Sequence, residues 1–207
     1  MKILFFGDSI TDMGRDKGQG AEIYSFGAGY PHVVASALYG ENPEKYHVVN
    51  RGISGNRVVD LYARIKCDVW NENPDVLSIL IGVNDVWHEI NRQNGVELDR
   101  YRKVYEMLIE DTLRTLPAVK IILCEPFVLK GSATEENFDK FTAVYDYAKV
   151  VKEIAKKYNL HFLPLQEKFN AAAAKYSAEK YLYDGVHPAI AGATLIADEW
   201  LKLFKKI

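Results

Sequence analysis

Short runs that are apolar on both faces, each ending in glycine or a polar cluster, constrain this chain more than any other feature. Ile3-Leu4-Phe5-Phe6 runs into Gly7, Asp75-Val76-Leu77-Ser78-Ile79-Leu80-Ile81 into Gly82, and Ile121-Ile122-Leu123-Cys124 stops just before Pro126. Strands of this kind are buried on both sides, as in a parallel sheet. Tyr46–Asn50 and Leu160–Leu163 add two more strands, and helical spacing fills the intervals. Helices are expected over Pro31–Leu38, from Val58 through Leu61 to Ile65, and over Leu98–Leu116, which Pro117 ends. Three more are expected over Asn137–Tyr158, Glu167–Tyr176 and Pro188–Phe204, the last burying Ile190, Ala193, Leu195, Ile196, Trp200 and Leu203. Alternation of strand and helix means right-handed crossovers, so the expected fold is α/β: a five-stranded parallel sheet with helices on both faces. No repeat, linker or low-complexity tract divides the chain, and one domain over residues 1–207 is expected.

Composition narrows the function classes. With 207 residues and 48% hydrophobic residues, the chain can bury a sizeable core. A formal net charge of −2 gives no electrostatic reason to expect nucleic acid or an acidic membrane surface. Lys2 leads straight into a core strand, not into a signal-peptide apolar region, and no apolar run has the length of a membrane span; a cytoplasmic protein is expected. Cys67 and Cys124 are too few for a disulfide framework or a cysteine-rich metal site, and Cys124 reads as a buried, inert thiol.

Ligands of open parallel sheets bind beyond the carboxyl ends of the strands, and those ends carry the chemistry here. The first strand delivers Ser9, the second Gly52, the third Asn84, and the segment before the last helix Asp184-Gly185-Val186-His187-Pro188. These residue types suit acyl transfer. A serine hydroxyl needs a base to take its proton, and His187 titrates near neutral pH. Asp184 can fix the imidazole tautomer, while the backbone N–H groups of Ser9 and Gly52 and the side-chain amide of Asn84 can hold an oxyanion. Taken singly each has a plainer reading: Asp8, Ser9 and Thr11 as a helix cap, Gly52 as a turn glycine, Asn84 and Asp85 as a helix cap or an Asx turn, Asp184 as a loop cap, His187 as a surface histidine. Asp8, Trp87, Arg57 and Tyr183 stand as candidates for substrate contact, with a core aromatic, a surface ion pair and simple packing as the competing roles of the last three. His88 reads as a rim residue. The Gly-rich stretch from Arg15 to Gly29 reads as a long loop that either shapes the substrate rim or merely connects.

Together these segments resemble the four blocks of the SGNH hydrolases, the GDSL esterase/lipase superfamily: Gly7-Asp8-Ser9-Ile10, Asn50-Arg51-Gly52, Gly82-Val83-Asn84-Asp85 and Asp184-Gly185-Val186-His187. Ile10 stands where the family name has leucine. The resemblance spans nearly the whole chain. It implies a flavodoxin-like three-layer α/β/α sandwich and a serine esterase with no metal or organic cofactor. Carried over, Ser9 is the nucleophile, Asp184 and His187 complete a triad, and Gly52 and Asn84 are oxyanion donors. The longer stretches Asn50–Asn56 and Ile81–Trp87 are similar to bacterial carbohydrate acetylesterases, including acetyl-xylan esterases. That narrower resemblance implies a small acylated sugar or oligosaccharide as substrate and, in some members, a cytoplasmic homo-oligomer. Competing functions are a thioesterase or lysophospholipase of the same chemistry, a metal phosphoesterase using Asp8, Asn84, Asp184 and His187, and an inactive carbohydrate-binding module. The polar loop offers no obvious channel for a long acyl chain, hard-metal sites prefer more carboxylates, and a complete triad argues against an inactive module.

Overall fold

The computed structural model describes residues 1–18 and 22–207. Its sheet has strands β1 (Lys2–Gly7), β2 (His47–Gly52), β3 (Val76–Leu80), β4 (Lys120–Cys124) and β5 (His161–Leu163), all parallel, in the order β2-β1-β3-β4-β5. Ile3 to Phe6 and Val76 to Leu80 are buried throughout, which is why those strands are apolar on both faces. The order reverses at β1, so the carboxyl end of β1 opens into the crevice where such sheets bind ligands. Ser9 is two residues beyond that end.

Helices cover the sheet on both sides. On one face α2 (Tyr30–Glu41) packs on α9 (Ile190–Phe204). On the other, α5 (Leu98–Thr115) lies between α3 (Val58–Ile65) and α7 (Val144–Lys157). The remaining helices are α1 (Ser9–Asp12), α4 (Val83–Arg92), α6 (Phe138–Phe141) and α8 (Gln166–Lys175). Trp200 of α9 is fully buried, leans on Phe5 and donates its indole N–H to the Ser78 hydroxyl at 2.9 Å, fixing α9 to the sheet centre.

Several expectations need revision. α4 was not foreseen, although Val83, Val86, Trp87 and Ile90 fall at helical intervals; it projects the side chains after Asn84 along one wall of the crevice. The helix expected over Asn137–Tyr158 breaks at Thr142 and Ala143, where the Thr142 hydroxyl donates back to the Asp139 carbonyl at 2.5 Å and i→i+3 bonds replace the α-helical ladder. Ile190 is 89% exposed, not buried. It opens α9, and a helical Cβ points toward the amino terminus, here past the packed layer. The stretch from Arg15 to Gly29 contains a 3₁₀ turn at Glu22–Phe26; Gly20, part of the expected loop, lies outside the described residues.

Candidate active site

Three side chains from opposite ends of the chain meet at the crevice. Ser9 Oγ lies 2.8 Å from His187 Nε2, and His187 Nδ1 lies 2.6 Å from Asp184 Oδ2. With the Nδ1 proton held by the carboxylate, Nε2 is left to accept from the serine hydroxyl. Asp184 Oδ1 also accepts the backbone N–H groups of Val186 (2.9 Å) and His187 (2.7 Å), so the carboxylate shapes the turn that carries the imidazole. That turn rests on the segment after β4: Leu129 N–H donates to the Gly185 carbonyl and Ala133 N–H to the Asp184 carbonyl, each at 2.9 Å. Gly185 has φ +97° and sits so close to Thr134 and Leu129 that a side chain would not fit.

The electrostatics follow from this geometry. Burial pushes the Asp184 carboxyl up, but the His187 ring and the two backbone donors outweigh it and leave the group below the usual carboxylate range. Burial pushes the His187 imidazole down, but its bond to Asp184, that carboxylate's charge and the charge of Asp8 outweigh burial and raise it.

The groups expected to hold an oxyanion are not all placed alike. Ser9 is the first residue of α1, where a backbone N–H has no partner within the helix. Asn84 donates one amide N–H to the Asn56 carbonyl at 3.1 Å and lines the cleft. Gly52, however, donates its N–H to Asn50 Oδ1 at 2.8 Å. A Cβ there would collide with the backbone of Thr11 and Asp12, so the glycine serves close packing of β2 on α1. Gly55 lines the cleft with Ser9, Ser54 and Asn84. Its φ is +82°, its N–H has no partner among the described residues, and a Cβ there would meet only the edge of the His88 ring, at 4.0 Å. The glycine-to-glycine step in Gly52-Ile53-Ser54-Gly55 was the available signal.

Other candidates sort by exposure. Asp8 is fully buried and cannot touch a substrate: Oδ1 accepts the Ile10 N–H at 2.9 Å, while Oδ2 has no partner. Arg57 is also spent elsewhere, with its guanidinium on Asp60 and on the carbonyl and side chain of Asn94. Trp87 is half-buried, its ring centroid 5.8 Å from that of His187 and 5.7 Å from that of Phe141, so it is both a cleft wall and a core contact. Tyr183 lies flat against the imidazole, 5.7 Å between centroids, and is 53% exposed on the rim. The cleft has a volume of about 260 Å³ and continues along α4 past His88 to Asn91 and Arg92. Asn91 and Arg92 reach the cleft because α4, a helix not among those expected from the sequence, presents them. A larger cavity of about 770 Å³, bounded by Met13, Ile23, Tyr24 and His32, is lined by none of Ser9, Asp184 and His187.

Serine, histidine and aspartate thus stand hydrogen-bonded in series at the switch point of a parallel α/β sandwich. The chain belongs to the GDSL-like lipase/acylhydrolase family, whose pattern matches residues 5–195. It is 38% identical to an acetylxylan esterase of Geobacillus stearothermophilus, covering 97% of this chain and 92% of that protein. Crystal structures of that esterase superpose with a TM-score of 0.86 at 37% identity, over 98% of this chain and 93% of theirs. A protein assigned as a GDSL-like lipase from Parabacteroides merdae superposes at 0.92 with 37% identity, over 99% and 95% of the two chains. The protein is therefore a carboxylic ester hydrolase.

Proposed function

We propose that this enzyme removes small acyl groups, acetyl foremost, from carbohydrate esters through a Ser9 acyl-enzyme. The observation that carries the reading is the unbroken Ser9–His187–Asp184 relay. His187 Nε2 takes the hydroxyl proton as Ser9 Oγ attacks the ester carbonyl. The N–H groups of Ser9, Gly55 and Asn84 converge on the resulting oxyanion. The C–O bond to the alcohol then breaks as His187 returns the proton to the leaving oxygen. A water molecule, deprotonated by His187, attacks the acyl-enzyme, and collapse of the second tetrahedral intermediate frees the carboxylate and Ser9.

Two features support a small acyl group on a sugar. The cleft of about 260 Å³ suits a short acyl chain, which favours this reading over a lysophospholipase or long-chain thioesterase. Its leaving-group side carries Ser54, His88, Asn91 and Arg92, which match a hydroxyl-rich alcohol. The similarity to an acetylxylan esterase agrees, and catalytic variants of that enzyme replace a serine or an aspartate by alanine. A metal phosphoesterase is disfavoured by the donor arrangement: Asp8 is enclosed, Asp184 and His187 hold each other, and among the described residues no three His, Cys, Asp or Glu groups gather as metal ligands. The test is hydrolysis of a p-nitrophenyl ester series and of acetylated xylo-oligosaccharides by the parent and by Ser9→Ala. Acetate esters cleaved fastest by the parent, with no turnover by the variant and no effect of EDTA on the parent, are expected. Full activity of Ser9→Ala, or loss of activity on chelation with recovery on adding metal, would overturn the reading.

A further inference from the structure

We infer that Asp12 is a positioning residue that aims the oxyanion donor of Gly55, a role that rests on the esterase reading above. Asp12 ends α1, one turn after Ser9, and is almost fully buried. Its Oδ2 accepts the backbone N–H of Ser54 and the Ser54 hydroxyl, each at 2.9 Å, together with Lys17 Nζ at 2.8 Å. Its Oδ1 accepts the Arg15 N–H at 3.2 Å. One carboxylate therefore ties the helix bearing the nucleophile to the residue immediately before Gly55.

The consequence is geometric. The N–H of Gly55 belongs to the peptide unit that starts at the Ser54 carbonyl. Holding Ser54 by both its N–H and its hydroxyl leaves that unit little freedom to rotate. Neighbouring ties act in the same sense: Arg15 Nε donates to the Gly52 carbonyl at 2.8 Å, and Asn50 Nδ2 donates to the Thr11 carbonyl at 2.7 Å. Gly55 contributes no side chain and sits at φ +82°, so its own packing does not hold it. The direction of its N–H relative to Ser9 is set from outside, and Asp12 is the side chain that joins α1 to Ser54 itself. Burial raises the Asp12 carboxyl, but the Lys17 and Ser54 bonds outweigh it and keep the group ionised, as a multiple acceptor must be.

Asp12→Asn tests this. The amide keeps the size of the side chain but presents its N–H₂ to the donors that surround Oδ1 or Oδ2. Displacement of an oxyanion donor predicts a fall in kcat of about 10²-fold with KM within about twofold, counted per active site titrated with a fluorophosphonate. Because Asp12 acts through Gly55, Asp12→Asn combined with Gly55→Ala is expected to lose no more kcat than Gly55→Ala alone. Should Asp12→Asn not fold, Ser54→Ala serves in its place, with a fall in kcat of roughly tenfold and the same lack of further loss on Gly55→Ala. An unchanged kcat per titrated site, or losses that multiply in the double variant, would overturn the inference. Failure of the parent enzyme itself to turn over acetate esters would instead overturn the esterase reading.

Discussion

Two carboxylates set the behaviour of single residues at this site, one by pairing and one by isolation. Asp184 raises the His187 imidazole above its ordinary value of 6.5 despite burial. The base must be neutral to accept the serine proton, so kcat/KM is expected to fall as pH drops, with a midpoint above that value. Asp184→Asn is expected to move this limb to lower pH and to lower kcat about 10⁴-fold, because the amide no longer selects the right tautomer. A pH–rate profile checks both, and an unmoved limb would remove Asp184 from the relay. Asn84→Ala is expected to lower kcat by about 10²–10³-fold, the usual cost of one oxyanion donor. Asp8 is the isolated carboxylate. Burial, partly offset by the Ile10 N–H and the charge of His187, pushes it from 3.8 up to about 7. Between those values the folded chain holds a proton that the unfolded chain has released, so stability falls as pH rises, by on the order of 4 kcal/mol once both states are ionised. Asp8→Asn keeps an acceptor for the Ile10 N–H without the charge. Its Tm relative to the parent is expected to rise by roughly 10 °C between about pH 4 and about pH 8. Calorimetry at both values checks this, and a Tm difference independent of pH contradicts it.

At the scale of elements, much was legible because strands buried on both faces and polar strand ends leave a strong mark. Ile3–Phe6 with Gly7, and Val76–Leu80 with Gly82, located β1 and β3, and the position of Ser9 and Asn84 just beyond them followed. The choice between Gly52 and Gly55 was not legible, since both glycines follow the same strand and only backbone torsion decides which N–H faces the cleft. Gly52 donates its N–H to Asn50, whereas Gly55, at φ +82°, lines the cleft beside Ser9 and Asn84. The two glycines therefore fail differently. Gly52→Ala drives a Cβ into the backbone of α1 and is expected to yield little folded protein. Gly55→Ala makes only an ordinary contact with the His88 ring and costs backbone strain of about 1–3 kcal/mol, so it is expected to fold with kcat reduced. Circular dichroism and kinetics separate the outcomes; the reverse pattern would return the oxyanion role to Gly52. The first turn of α4 carries the buried polar pair Asn84 and Asp85, which masks its helical spacing: Asn84 lines the cleft, and Asp85 accepts the Val58 N–H at the start of α3 at 3.0 Å.

Over the whole molecule, the strand order and right-handed crossovers bring residues 9 and 187 to one edge of the sheet. Among the described residues no helix is long and apolar enough to cross a membrane. No local sequence rule states that Ser9 and His187 meet within 2.8 Å; the topology does, since β1 sits at the switch point and the turn before α9 is held over it by residues 129–134. The small cleft makes acyl-chain length a property of the assembled molecule, and kcat/KM is expected to drop at least about tenfold from acetate to octanoate esters, as a pocket too small for the chain predicts. Comparable rates across that series would show that the cleft opens beyond its present volume. The most direct measurement is mass spectrometry of the enzyme quenched in acid during turnover of an acetate ester, followed by peptide mapping. The account predicts an acetyl group on Ser9 and none in Ser9→Ala; steady turnover with acetyl on another residue, or with an equally active Ser9→Ala, would contradict it.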